Sequence, residues 1–207
     1  MSIGQIILLI VTVLVAAGAC QRVLDRLRLT DRQAILFVGL IFIGGLLPNI
    51  PIGERIRVNV GGAVVPLALA VYVWARAGSG KERLRALAAT LVTAGAIFAL
   101  GRFFPDEPET MPFDVNYLYG ALAGMIAYVF GRSRRGAFIA GVAGMLLADV
   151  AQAAVVWNKG VDQTLYLGGA GMLDTVVISG VVAVLLAELV GEFLERCARG
   201  AKRREAR

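Results

Sequence analysis

Apolar residues fall in long blocks separated by short polar connections, a pattern of membrane-spanning helices and not of alternating strands. The blocks predict seven spans: Ile3 to Ala19, Ala34 to Ile50, Gly61 to Val73, Ala86 to Phe104, Val115 to Phe130, Ala137 to Trp157 and Leu165 to Val190. An apolar stretch of about 18 residues or more with few charges is long enough to cross a bilayer. Thr30-Asp-Arg-Gln33 has the letters of a capping box and opens the second span. Pro48-Asn-Ile-Pro51 closes it, because proline removes a donor and restricts the residue before it. For the first block a signal peptide is the competing reading, with Ala17-Gly-Ala-Cys20 resembling a lipoprotein cleavage box. Its leading Met-Ser carries no positive charge, however, and Arg22, Arg26 and Arg28 follow it, which would hold its far end in the cytoplasm. Val23, Leu24, Leu27 and Leu29, set among those arginines, predict a turn or two lying in the interface.

Composition agrees with the pattern. The chain is 58% hydrophobic with a mean hydropathy of +0.74, above the roughly half-apolar content of soluble domains. Its 25 glycines supply the small residues on which helix packing in lipid depends. The expected fold is all-α: one helical transmembrane domain in the cytoplasmic membrane, with a basic tail over 192–207.

Charge then orients it. Of the 21 basic residues, all but Arg55, Arg57, Arg102 and Lys159 fall in the connections 20–33, 76–85, 131–136 and the tail. Every second connection is therefore basic, which predicts the N-terminus outside and the C-terminus in the cytoplasm. The net charge of +6 is topological and gives no reason to expect nucleic acid. The expected partner is the bilayer, with anionic lipid at the basic tail; self-association is left open. With no histidine, a His-based triad or a His-ligated metal site is excluded, and no cofactor is expected. Cys20 and Cys197 lack metal-ligand spacing and read as reduced thiols facing the cytoplasm. The acidic stretch 105–114 reads as a proline-stiffened connector, or as a gatherer of cations at the mouth of a pathway.

The candidate chemistry lies in the last two spans. Asp149 and Asp174 flank a polar turn near residues 157–164; as antiparallel helices, the spans would bring both carboxylates to a similar depth. An ionisable group there is costly and is by default a functional-site hypothesis. Two carboxyls sharing a low-dielectric site cannot both ionise, so the pair could act as acid and base, or bind and release a cation. Structural acids bonded to neighbouring helices are the third option. Gln152, one helical turn from Asp149, and Asn49, Asn59 and Thr175 could complete a polar site. Gly168, Gly169 and Gly171 are either packing residues or an unwound start to the seventh span, tolerated only where protein or a water-filled cavity covers its backbone. Glu188 reads as a carboxylate reaching the headgroups or Arg196. Val60-Gly-Gly-Ala-Val-Val-Pro66 echoes Leu167-Gly-Gly-Ala-Gly-Met-Leu173, and Gly45-Leu-Leu-Pro48 echoes Gly144-Met-Leu-Leu147, as a parallel duplication would.

Two resemblances follow from these residues. Gly169-Ala-Gly171 before Asp174 is similar to the Gly-x-Gly-Asp motif of intramembrane aspartyl proteases, with Met172 and Leu173 inserted. The proline-containing motif that closes their site has its letters only at Pro66-Leu-Ala68, far earlier in the chain. That resemblance implies peptide-bond hydrolysis by Asp149 and Asp174. More extensively, Asn59-Val-Gly-Gly-Ala-Val-Val-Pro-Leu67, Tyr119-Gly-Ala-Leu-Ala-Gly124 and the stretch from Gly168 to Gly180 resemble a prokaryotic membrane-protein family catalogued as a domain of unknown function (number 1614). It implies a polytopic membrane protein and carries over no catalytic residue.

Overall fold

The computed structural model describes residues 30–102 and 115–205. The predicted first span, the interfacial turns after it, Cys20 and the acidic stretch 105–114 lie outside the described residues. Six α-helices carry the architecture: α1 (Asp31–Leu46), α2 (Val65–Ala75), α3 (Gly80–Leu100), α4 (Val115–Gly131), α5 (Arg134–Asn158) and α6 (Thr175–Glu205). Two of them, α3 and α5, are apolar and long enough to cross a membrane; the apolar parts of the other four are shorter. Helices α3 to α6 pack around α5, with α3 against α5 and α4 against both α5 and α6.

Small residues set that packing. A side chain at Gly144 would strike Thr93 and one at Gly124 would strike Val182, so α5 approaches α3, and α4 approaches α6, at a distance only glycine permits. Ser179 fixes α6 to α5 by donating its hydroxyl to the Gly141 carbonyl at 2.9 Å. The helix starts follow local chemistry. Thr30 and Gln33 form the expected capping box, and Ser79 and Ser133 accept from the third backbone amide of α3 and of α5. At the end of the bundle where α3 and α5 begin, Arg134 pairs with Glu188 and Arg135 with Glu82 (3.5 Å), tying α5 to α6 and α3. Glu188 thus finds its partner on α5, not in the headgroup-facing role expected for it.

The opposite end departs from rods. Three short strands, which the hydropathy pattern did not predict, form one sheet in the order β1 (Ile50–Ile52), β2 (Ile56–Val58), β3 (Leu165–Leu167). β1 and β2 are an antiparallel hairpin, while β2 and β3 run parallel, with Ile56 opposite Leu165 and Val58 opposite Leu167. After β2 the chain makes a π-helical turn over Val60–Val64 before α2; after β3 it makes a 3-10 turn over Gly171–Leu173 before α6. Glycine stretches that echo each other in sequence therefore lie side by side. The predicted seventh span over 165–190 is corrected accordingly: its first ten residues are strand and turn, and the helix starts at Thr175. The reason is local, because Gly168 (φ +70°) and Gly171 (φ +62°) adopt a left-handed backbone that interrupts a helix. At its other end α6 runs through the predicted tail to Glu205.

The two broken segments meet backbone to backbone. A Cβ on Gly61 would collide with the Gly45 amide and the Ile41 carbonyl of α1, and one on Gly62 with the Gly168 carbonyl. Asn59 pins the junction from within. Its amide nitrogen donates to the Leu47 carbonyl (3.1 Å) and to Asn49 Oδ1 (3.0 Å), and its oxygen accepts from Gly62 N (2.9 Å). Replacing Gly61 by alanine is expected to destabilise the protein by about 1–3 kcal/mol through forced backbone displacement. Gly39→Ala or Gly95→Ala, on helix faces where a Cβ meets nothing within 4 Å, should instead be neutral or stabilise by about 0.4–1 kcal/mol. Thermal unfolding of the purified variants in detergent measures the contrast.

Candidate functional site

Where α1 and α5 end and α6 begins, the structure holds a cavity of about 620 Å³. One wall is a stripe of α5: Asp149, Gln152, Ala153, Val156 and Trp157, the spacing of one helical face. Facing it are Asn49 after α1, the loop Gln163–Tyr166, and the turn into α6 with Gly169, Ala170, Leu173, Asp174 and Thr175. Both aspartates singled out from the sequence thus line one cavity, with Gln152, Asn49 and Thr175. Among the described residues no basic side chain lines it, and Asp149 and Asp174 are its carboxyl groups.

The two acids are held differently. Asp174 is the residue immediately before α6, in extended conformation (φ −65°, ψ 148°). Its Oδ1 accepts from Val176 N (3.1 Å) and from the Thr175 hydroxyl (3.3 Å), and its Oδ2 from Ala170 N (3.2 Å). That is an N-cap: the carboxylate satisfies amides that the helix leaves unpaired and sits at the positive end of its dipole. The expectation that Asp174 lies within a helix is corrected. It reaches the cavity because the segment before it is folded back as strand and turn. Asp149 is nine residues before the end of α5, in mid-helix, and makes no hydrogen bond to any described residue. One carboxylate is therefore committed to the backbone, and the other is open to the cavity.

The remaining expected site residues divide. Gly169 lines the cavity, whereas Gly168 and Gly171 are not among its lining residues and serve the backbone contacts with Ala63 and Gly45. Asn59, 2% exposed, stands behind the wall and orients Asn49, which does line it. Gln152 lies against Gly101 at the end of α3. Trp157, Gln163, Thr164 and Tyr166 were not anticipated. Trp157 was within reach, since it falls eight residues after Asp149 on the same face. The others depend on the β2–β3 pairing, for which three-residue strands leave little trace. The indole of Trp157 donates to the Gln163 carbonyl at 2.8 Å, bracing the lip of the cavity. Beside it, Arg55 pairs with Asp162 at 2.9 Å in an exposed bridge, of small energetic worth.

Residues 23–186 match the family described as "Protein of unknown function (DUF1614)". The chain belongs to that family. The matched segment contains every cavity-lining residue. No match is found among the curated proteins or among the solved structures.

The asymmetry of the aspartates predicts an asymmetry in stability. Asp174→Ala should cost about 0.5–2 kcal/mol by uncapping α6, while Asp174→Asn, which keeps an acceptor, should lose little of it. Asp149→Asn should leave the unfolding midpoint in detergent unchanged.

Proposed function

We propose that the chain is a seven-span protein of the cytoplasmic membrane, N-terminus outside, that binds a cation in this cavity for cation-coupled transport. Asp149 is the binding carboxylate, Gln152 and Asn49 are neutral ligands beside it, and Asp174 with Gly169 shapes the opposite wall. Two helices of spanning length support the membrane setting, as do apolar side chains left exposed around the bundle, among them Leu84, Leu91, Val129, Leu189 and Phe193. The ion pair Arg135–Glu82 brings the basic connections 76–85 and 131–136 to one end of the bundle, as the proposed orientation requires.

The observation that carries the function is the Asp149 carboxyl, without a hydrogen-bond partner among the described residues, on the wall of a cavity whose described lining holds no basic side chain. A charge-bearing group at that depth is retained at a cost, and cation or proton pathways are where such groups serve. The broken segments beside it fit the same reading, because transporters place their sites where interrupted helices meet. Aspartyl hydrolysis is the second reading, favoured by the presence of both acids in one cavity. It asks two carboxyls to exchange acid and base roles, and Asp174 has one oxygen in the α6 cap and the other on the Ala170 amide.

Proteoliposomes loaded with the full chain separate the two. With transport, pH-gradient-driven uptake of labelled sodium or labelled methylammonium should fall at least tenfold in Asp149→Asn and persist in part in Asp174→Asn. With hydrolysis, neither variant changes the uptake of either cation, and both abolish cleavage of a co-reconstituted single-span reporter equally.

A further inference from the structure

Resting on the cation-binding reading, we infer that the ligand of the cavity is an organic ammonium with an apolar chain, and not a bare metal ion or a proton alone. The lining is graded along α5. Asp149 and Gln152 lie toward the middle of the helix, Ala153 and Val156 follow, and Trp157 sits next to the last residue, Asn158. Eight residues of helix separate Asp149 from Trp157, about 12 Å along the axis at 1.5 Å per residue. The opposite wall mixes polar and apolar groups: Asn49, Gln163 and Thr164 offer oxygens, Leu173 and Leu165 offer hydrocarbon, and Tyr166, 52% exposed, adds a ring. Along α5 the lining thus passes from acceptors through hydrocarbon to an aromatic ring.

A primary ammonium has three donors and a full charge, which the Asp149 carboxylate and the amide oxygens of Gln152 and Asn49 can meet. A dehydrated metal ion would leave most of the roughly 620 Å³ unfilled and would have no use for the apolar wall. That volume lies within the range of about 300–1,000 Å³ in which small organic molecules are bound. Trp157 and Tyr166 in the lining suit an organic cation in transit, since the face of a Trp or Tyr ring attracts ammonium groups. The bound ligand would then lie along α5, its ammonium at Asp149 and its tail toward Trp157.

Calorimetry on the full chain in detergent, with methyl-, butyl- and hexylammonium as probes, tests this. Affinity should rise about fourfold for each added methylene, as burial of about 0.8 kcal/mol per CH₂ requires. Asp149→Asn should weaken hexylammonium at least tenfold, and Val156→Thr should reduce the gain per methylene. Hexylammonium should shift the emission of Trp157, assigned by its loss in Trp157→Phe, and methylammonium should not. Hexanol binding as tightly as hexylammonium would overturn the proposal. A flat chain-length series with Asp149-dependent binding of methylammonium or sodium would also overturn it while leaving the cation-binding reading intact. Absence of Asp149-dependent binding of any of these cations would overturn both.

Discussion

The structure depends on a constraint of backbone chemistry. Where a helix is interrupted among apolar neighbours, each freed amide and carbonyl needs a partner from the protein itself, because nearby hydrocarbon supplies none. This chain interrupts two helical paths at the same place and lets the interruptions satisfy each other. β2 and β3 exchange ladder bonds, the Asn59 backbone amide donates to the Leu167 carbonyl, and the Asn59 side chain ties in Leu47 and Gly62. Gly61, Gly62 and Gly168 are needed because the paired backbones leave no room for a Cβ. The cavity exists because of this junction: folding β3 and the following turn away from α5 opens the space that a continuous helix would have filled.

The same junction explains why two similar-looking aspartates have different roles. Starting α6 at Thr175 creates a helix end inside the protein, with unpaired amides that must be capped, and Asp174 is spent on that task. Asp149 lies within an unbroken stretch of α5, whose own amides are paired along the helix, so its carboxyl has no backbone duty. A helix end nearby thus frees one acid by occupying the other.

Much of this was legible beforehand, for identifiable reasons. The helices of α1, α3, α4 and α5 follow from block hydropathy, and the capping box of α1 from four letters. The gathering of Asp149 and Asp174 follows from their matched distances to the turn between them, and Gln152 joins them by its spacing from Asp149, with Asn49 and Thr175 as further polar candidates. The strands were not, since three residues such as Ile56–Val58 or Leu165–Leu167 show too little alternation to stand out from an apolar helix. Nor was the true start of α6. The glycines before Asp174 permitted either a packed helix or an unwound one, and the choice rests on a partner strand far away in the chain. Tyr166 and Gln163 entered the cavity through that pairing and could not be seen without it.

The pairing also bears on biogenesis. β2 is made early, and its partner must wait until the chain has been synthesised through Leu165. Until then the open edge of β2 and the glycine turn behind it have no complementary backbone, and parallel strands cannot close through a local hairpin. The early helices can form one after another, but the cavity they will border is assembled only once β3 has been synthesised. A ribosome that stalls before β3 therefore releases a product with most of its hydrophobic mass in place and its cavity missing.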